Sequence, residues 1–113
     1  MERLNKYGFV SGGYIFDYLD RTALDYLNLE YPKTKTENWF TESADVKFYK
    51  QWCDEEYDTF LGSTMEYYKQ DKGIAKINVK LFLHNARLII AEATFVFKRA
   101  NNDFCRITKR NEI

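Results

Sequence analysis

The chain has 113 residues, 45% of them apolar and 18% aromatic, and its 17 Lys and Arg are balanced by 17 Asp and Glu. That length suits one domain spanning residues 1–113, and zero net charge argues against nucleic acid, whose phosphates are held by a basic excess. Nine Tyr, nine Phe and two Trp can fill a core, and a single Pro with five Gly argues against disorder.

In chain order, "MERLNKYGF" lacks the apolar stretch of a signal peptide. No apolar run nears the roughly 20 residues of a membrane span, so a soluble, cytoplasmic protein is expected. "VSGGYIFDYLDRTALDYLNLEY" follows. Its apolar spacing predicts a helix from Gly12 to about Asn28, with Phe16, Leu19, Ala23, Tyr26 and Leu27 on one face. Asp17 and Asp25 point away from that face. Asp20 does not: at about 100° per residue it lies about 40° from Phe16 and about 20° from Leu27. A carboxylate on a buried stripe must find a partner or a proton. Asp20 is therefore singled out.

"EYPKTKTEN" reads as a polar loop in which Pro32 stops the helix. "WFTESADVKFYK" favours a strand through Phe40, Val46, Phe48 and its Thr content. "QWCDEE" is expected to be a polar connection, and "YDTFLGSTMEYYK" a strand whose Gly62 suggests a bulge or a close backbone approach. "QDKG" signals a hairpin, with Gly73 free to take positive φ. "IAKINVKLFL" and "RLIIAEATFVFKR" are the clearest strands, joined by the short turn "HNA". That turn contains His84, the chain's only histidine, expected at the surface. With one His, and with Cys53 and Cys105 far apart, no metal or redox site is expected, and the thiols are read as structural. The final "ANNDFCRITKRNEI" is too polar to assign, leaving a tail over 99–113. One helix followed by four strand-like segments is an α+β pattern with an antiparallel sheet.

These residues resemble a known family. "NKYGFVSGG", residues 5–13, is similar to the N-x-x-G-x-x-H-G-G signature of the hotdog-fold acyl-CoA thioesterases, of the phenylacetyl-CoA and hydroxybenzoyl-CoA type. In that family an acidic residue follows the first glycine of the pair by eight positions, which here is Asp20. "TESADVKFYKQ" looks like the family's second strand, with Gln51 in place of a proline, and "INVKLFLHNARLIIAEATFVFK" like its closing hairpin. The likeness covers residues 5 to 98. It implies a hotdog fold, a long central helix wrapped by a curved antiparallel sheet. The departure is Ser11, where the family most often has histidine; this excludes the related dehydratases, which need that imidazole.

The resemblance implies hydrolysis of acyl-CoA or acyl-carrier-protein thioesters, in fatty acid metabolism. No cofactor is implied beyond the coenzyme A of the substrate itself. The candidate catalytic residues are Asp20, Gly12, Gly13, Asn5 and Thr41. Unsatisfied amides at a helix start favour negative charge, so Gly12 and Gly13 would hold the thioester oxygen with no side chain in its way. The same glycines would equally serve a tight turn or close packing. Asp20 would act as general base or attack directly through a transient anhydride, unless it merely bonds an amide or a hydroxyl. By analogy Asn5 orients the thioester or the water, and Thr41 hydrogen-bonds the water; as plain residues they suit a loop and a strand. Lys47, Lys50, Lys98 and Arg99 are cations without an assigned phosphate site.

Eight helical residues at about 1.5 Å each put Asp20 about 12 Å from Gly12, too far for one carbonyl to touch both. A site using both must draw them from two chains. A homodimer at least is expected, with tetramers or hexamers of such dimers open. The competing reading is a non-catalytic hotdog module that binds acyl thioesters or serves as an assembly partner.

Overall fold

The computed structural model describes residues 4, 9–32, 34, 36–53, 59–83 and 88–101. Helix α1 spans Gly12–Glu30, followed by strands β1 (Glu37–Phe48), β2 (Thr59–Lys69), β3 (Ile74–Leu83) and β4 (Leu88–Asn101). The strands form one antiparallel sheet in the order β1-β4-β3-β2. After the helix the chain lays down one edge of the sheet, crosses to the other edge, and returns through two hairpins to pair β4 with β1. A single helix packed on a curved antiparallel sheet in this order is the hotdog fold.

The sheet is built by alternation. In β3 the side chains of Ala75, Ile77, Val79, Leu81 and Leu83 are buried, while Ile74, Lys76, Asn78, Lys80 and Phe82 face the other way and are half-buried. Strand β4 answers with Ile90, Ala91, Ala93, Phe95 and Phe97. Its two successive buried residues, Ile90 and Ala91, sit where the β3–β4 register shifts next to Leu81 and Phe82. Onto this face the helix sets Ile15, Leu19, Ala23 and Leu27, each at most 3% exposed. Burying an Ile or Leu side chain is worth about 1.5–3 kcal/mol, so Ile15, Leu19 and Leu27 hold the helix in place. Phe16, expected on the stripe, is 38% exposed and meets Phe95 only edge-on at its border, with ring centroids 5.8 Å apart.

Both helix ends are tied. At the C-terminus the Tyr31 amide donates to the Leu27 carbonyl at 2.8 Å, and the helix runs two residues past the expected Asn28. The Trp39 indole donates to the Tyr31 carbonyl (2.9 Å), and Arg99 donates to the Pro32 carbonyl (2.6 Å) while lying over the Trp39 ring. Tyr31 also stacks on Tyr68 of β2. These contacts fasten the loop containing Pro32 to both edges of the sheet.

Other expectations need adjustment. Gly62 lies in regular pairing with Lys80, and the bulge in β2 falls instead between Met65 and Tyr67. An added Cβ at Gly62 would touch the Phe82 ring at 3.7 Å, so the glycine gives room to an aromatic neighbour across the strand. "QWCDEE" is not simply polar: Trp52 is 4% exposed and belongs to the core, its carbonyl accepting from the Val10 amide at 2.8 Å. Indole area outweighs the polarity of its neighbours in the sequence. Residues 99–101, expected in the tail, continue β4 because Arg99, Ala100 and Asn101 pair with Trp39, Asn38 and Glu37. Gly73 does take φ +61° in the β2–β3 turn, as the hairpin signal implied. His84 and Cys105 lie outside the described residues. Among the described residues no helix is long and apolar enough to cross a membrane.

Candidate active site at the helix start and along its flank

The helix begins at Ser11, whose extended backbone (φ −68°, ψ 148°) and side chain make it the N-cap. Its Oγ accepts from the Tyr14 amide at 3.2 Å, and its carbonyl accepts the first intrahelical bond, from Ile15 at 3.1 Å. Serine is thus well suited to this position as a cap, whatever a histidine would do there. Gly12 and Gly13 supply the two amides ahead of those bonds, and no described residue accepts from either. No acidic side chain stands in the first turn to occupy the positive end of the helix dipole. Two donors therefore point outward into a field that favours an anion.

Neither glycine adopts positive φ, so neither is needed to make a turn. What Gly12 does is keep a wall thin. A Cβ there would stand 3.5 Å from Cζ of Phe48 at the end of β1. Between the helix start and this strand end lies a cavity of about 320 Å³. Its floor is Val10, Ile15 and Trp52, all core residues, and Gly12 forms one side. Phe9 and Phe48 contribute aromatic edges, while Tyr49, Lys50 and Gln51 give it a more polar rim.

Asp20 lies farther along the helix, beside the edge strand. The Thr41 hydroxyl donates to its Oδ1 at 2.8 Å. Two candidates separated by 21 residues are brought together because the helix crosses β1, and because Thr41 pairs with Phe97 on the helix side of the sheet. Immediately beyond, the β1–β4 register shifts between Thr41 and Ser43. Asp20 itself is half-buried, not buried as its distance from Phe16 and Leu27 implied. Taking the mean direction of the four buried residues, it stands about 80° away, at the margin of the stripe. Asp17, about 60° further round the helix and away from the stripe, pairs with Arg21 at 3.0 Å, and Asp25 is exposed. Asn5 lies outside the described residues.

The four cations divide. Arg99 is engaged at the helix C-terminus, Lys47 and Lys98 are exposed on the sheet, and Lys50 stands at the rim of the cavity. One polar cluster was not foreseen. The Tyr49 hydroxyl donates to Glu92, whose other oxygen accepts from Asn78 Nδ2 at 3.2 Å; Asn78 also bonds Thr94. The hydrogen bond from Tyr49, then that from Asn78, hold the Glu92 carboxyl below its ordinary value, with Lys80 and Lys47 adding to the effect. The same contact raises the Tyr49 phenol, since a phenolate would face a carboxylate. Glu92 and Asn78 lie on the face of the sheet opposite the helix, so the cluster braces the strands and does not join Asp20. The register Asn78↔Thr94 made it findable, but only once the strands were aligned.

No family model matches the chain, and no curated protein matches it. Solved structures do. The Streptococcus mutans protein smu.793, bound to acetyl CoA, superposes with TM-score 0.69 at 17% identity, covering 88% of this chain and 73% of that one. YbaW, a probable thioesterase of Escherichia coli, gives 0.69 at 11% identity over 88% and 75% of the two chains. A probable thioesterase of Bartonella henselae gives 0.73 at 6% identity over 89% and 83%. At such identities the likeness is one of fold.

Proposed function

We propose that this protein is a thioesterase that hydrolyses acyl-CoA, or acyl-carrier-protein, thioesters at a site shared between two copies of the chain. The observation that carries the proposal is the pair of amides at Gly12 and Gly13, which no described residue accepts from, beside a cavity with an apolar floor and a polar rim. Thioester hydrolysis needs donors aimed at the oxygen that becomes an oxyanion, and room with apolar walls for the acyl group; the helix start offers the donors, and Val10, Ile15, Phe48 and Trp52 supply the walls. The fold's likeness to thioesterases and to a CoA-bound protein supports the same reading.

The remaining requirement is a base. Asp20, with one oxygen held by Thr41, takes a proton from water on its other oxygen. Hydroxide adds to the carbonyl carbon, and the amides of Gly12 and Gly13 stabilise the resulting oxyanion. Collapse breaks the carbon–sulfur bond, the thiolate receives the proton from Asp20, and the acid departs. Thr41 acts as a positioning residue, fixing the carboxylate between helix and strand. Since Asp20 and Gly12 are about 12 Å apart along one helix, each site takes its amides from one copy and its carboxylate from the other. Ser11 caps the helix and needs no part in the chemistry.

Thiol release from acyl-CoA substrates tests the assignment. Asp20→Asn is expected to lower kcat by about 10² or more without loss of fold, and Thr41→Val by a smaller factor. Asp17→Asn, which among the described residues loses its pairing with Arg21, is expected to leave the rate unchanged. Equal losses at Asp17 and Asp20 would remove Asp20 from the mechanism. Absence of thiol release from the wild-type protein, with acyl-CoA binding retained, would instead favour the non-catalytic binding module.

A further inference from the structure

Resting on the thioesterase reading, the structure also addresses which acyl groups are accepted. We infer that Phe48 sets the upper size limit of the acyl group, and that the cavity beside Gly12 accepts groups of about ten non-hydrogen atoms. At about 30 Å³ for each water-sized unit, the cavity's volume of about 320 Å³ holds about that number. It does not deepen inward, because its floor consists of Val10, Ile15 and Trp52, which are 5%, 3% and 4% exposed and packed in the core. Phe48 instead forms an exposed side of the cavity, on which it can grow.

That ring is well placed to be a limit. Phe48 is 53% exposed, so little of the core depends on it. Its backbone is nonetheless held. Phe48 pairs with Ala91, and the next two amides, of Tyr49 and Lys50, both donate to the Ile90 carbonyl at 2.8 and 3.1 Å. The ring therefore stands at a defined distance from Gly12, with 3.5 Å between Cζ and the position a Cβ would take. An acyl group whose carbonyl oxygen meets the amides at the helix start has its chain directed along this ring. Removing the ring opens the cavity on its exposed side; a larger ring closes it further.

The experiment compares wild type, Phe48→Ala and Phe48→Trp on butanoyl-, octanoyl- and palmitoyl-CoA, reading kcat/KM by thiol release. Wild type is expected to fall steeply between octanoyl and palmitoyl. Phe48→Ala is expected to raise the palmitoyl-to-octanoyl ratio by about tenfold or more, and Phe48→Trp to lower the octanoyl-to-butanoyl ratio by a similar factor, the scale on which a pocket discriminates by methylenes. Ratios that stay the same in all three proteins would overturn the inference. The same three lengths are also titrated by calorimetry as analogues with methylene in place of the thioester sulfur. If no thioester is hydrolysed, length-ranked binding that shifts with Phe48→Ala upholds the role of Phe48 while the thioesterase reading falls. Binding without length ranking overturns the role of Phe48.

Discussion

Gly12 and Gly13 show how one residue type serves two incompatible explanations that a substitution can separate. Glycines needed for positive φ lose stability when replaced by alanine, but these two have ordinary helical backbone. Around Gly12 an added methyl would make ordinary contact with Phe48. Alanine is a better helix former by about 0.5–1 kcal/mol, so the melting temperature of Gly12→Ala or Gly13→Ala is expected to hold or rise. Turnover is expected to drop, because the new methyl crowds the substrate at the donor amides. A variant that melts earlier and loses activity only in proportion would return the glycines to a structural role. Glu92 offers a second test at this scale. Its carboxyl is held below the ordinary 4.5 in the folded protein by Tyr49 and Asn78. The sign follows: that contribution to stability is present above 4.5 and is lost as pH falls through the lower folded value. The melting-temperature gap between wild type and Glu92→Gln is expected to be widest near neutral pH and to narrow well below 4.5, as followed by circular dichroism. A gap that does not change with pH would mean the Glu92 charge contributes nothing.

Among the elements, the β2–β3 hairpin and the edge strand β1 carry the sharpest constraints. Gly73 has φ +61°, and an added Cβ would come within 3.2 Å of Arg99 Cβ. The Gly73 carbonyl also accepts from the Arg99 amide at 2.7 Å, so the turn cannot shift without disturbing β4. Gly73→Ala is expected to cost about 1–3 kcal/mol by denaturant unfolding, in contrast to the neutral outcome at Gly12. An unchanged midpoint would show that the turn relaxes freely. β1 is different: among the described strands it pairs with β4 alone, and the residues from Thr41 to Asp45, together with Lys47 and Phe48, are exposed. The pairing of Thr41 with Phe97 turns that residue toward the helix, and the register shift just beyond it sets the later part of the strand in a new phase. Thr41 meets Asp20 for this reason.

For the whole molecule, the exposed edge of β1 lies next to Asp20, Thr41 and the half-exposed Phe16. An unpaired strand edge is a template for another strand, and two copies joined there would bring two helices side by side. A dimer or larger assembly is expected by sedimentation at micromolar concentration; a stable folded monomer would dismantle the shared site. Mixing makes the test sharper. An inactive Gly12 variant and Asp20→Asn each carry two broken sites per dimer, while a mixed dimer regains one intact site. With random exchange half the dimers are mixed, so activity is expected to recover toward about a quarter of wild type. Exchange without recovery would place both residues in one chain's site or in none.

Periodicity in the sequence was enough for the helix, the four strands, the hairpin at Gly73 and the α+β class, because each depends on local spacing and on turn residues. The family resemblance added the hotdog fold and the candidates Asp20, Gly12, Gly13, Asn5 and Thr41. Tertiary structure decided what local spacing cannot encode. It placed Trp52 in the core, because a buried indole outweighs polar neighbours in sequence. It moved the bulge from Gly62 to Met65–Tyr67, since register depends on the partner strand. It set Asp20 at the margin of the buried stripe with Thr41 as its donor, a contact that exists only where the helix crosses the sheet. It also created the cavity between Gly12 and Phe48, which are 36 residues apart and meet through folding alone.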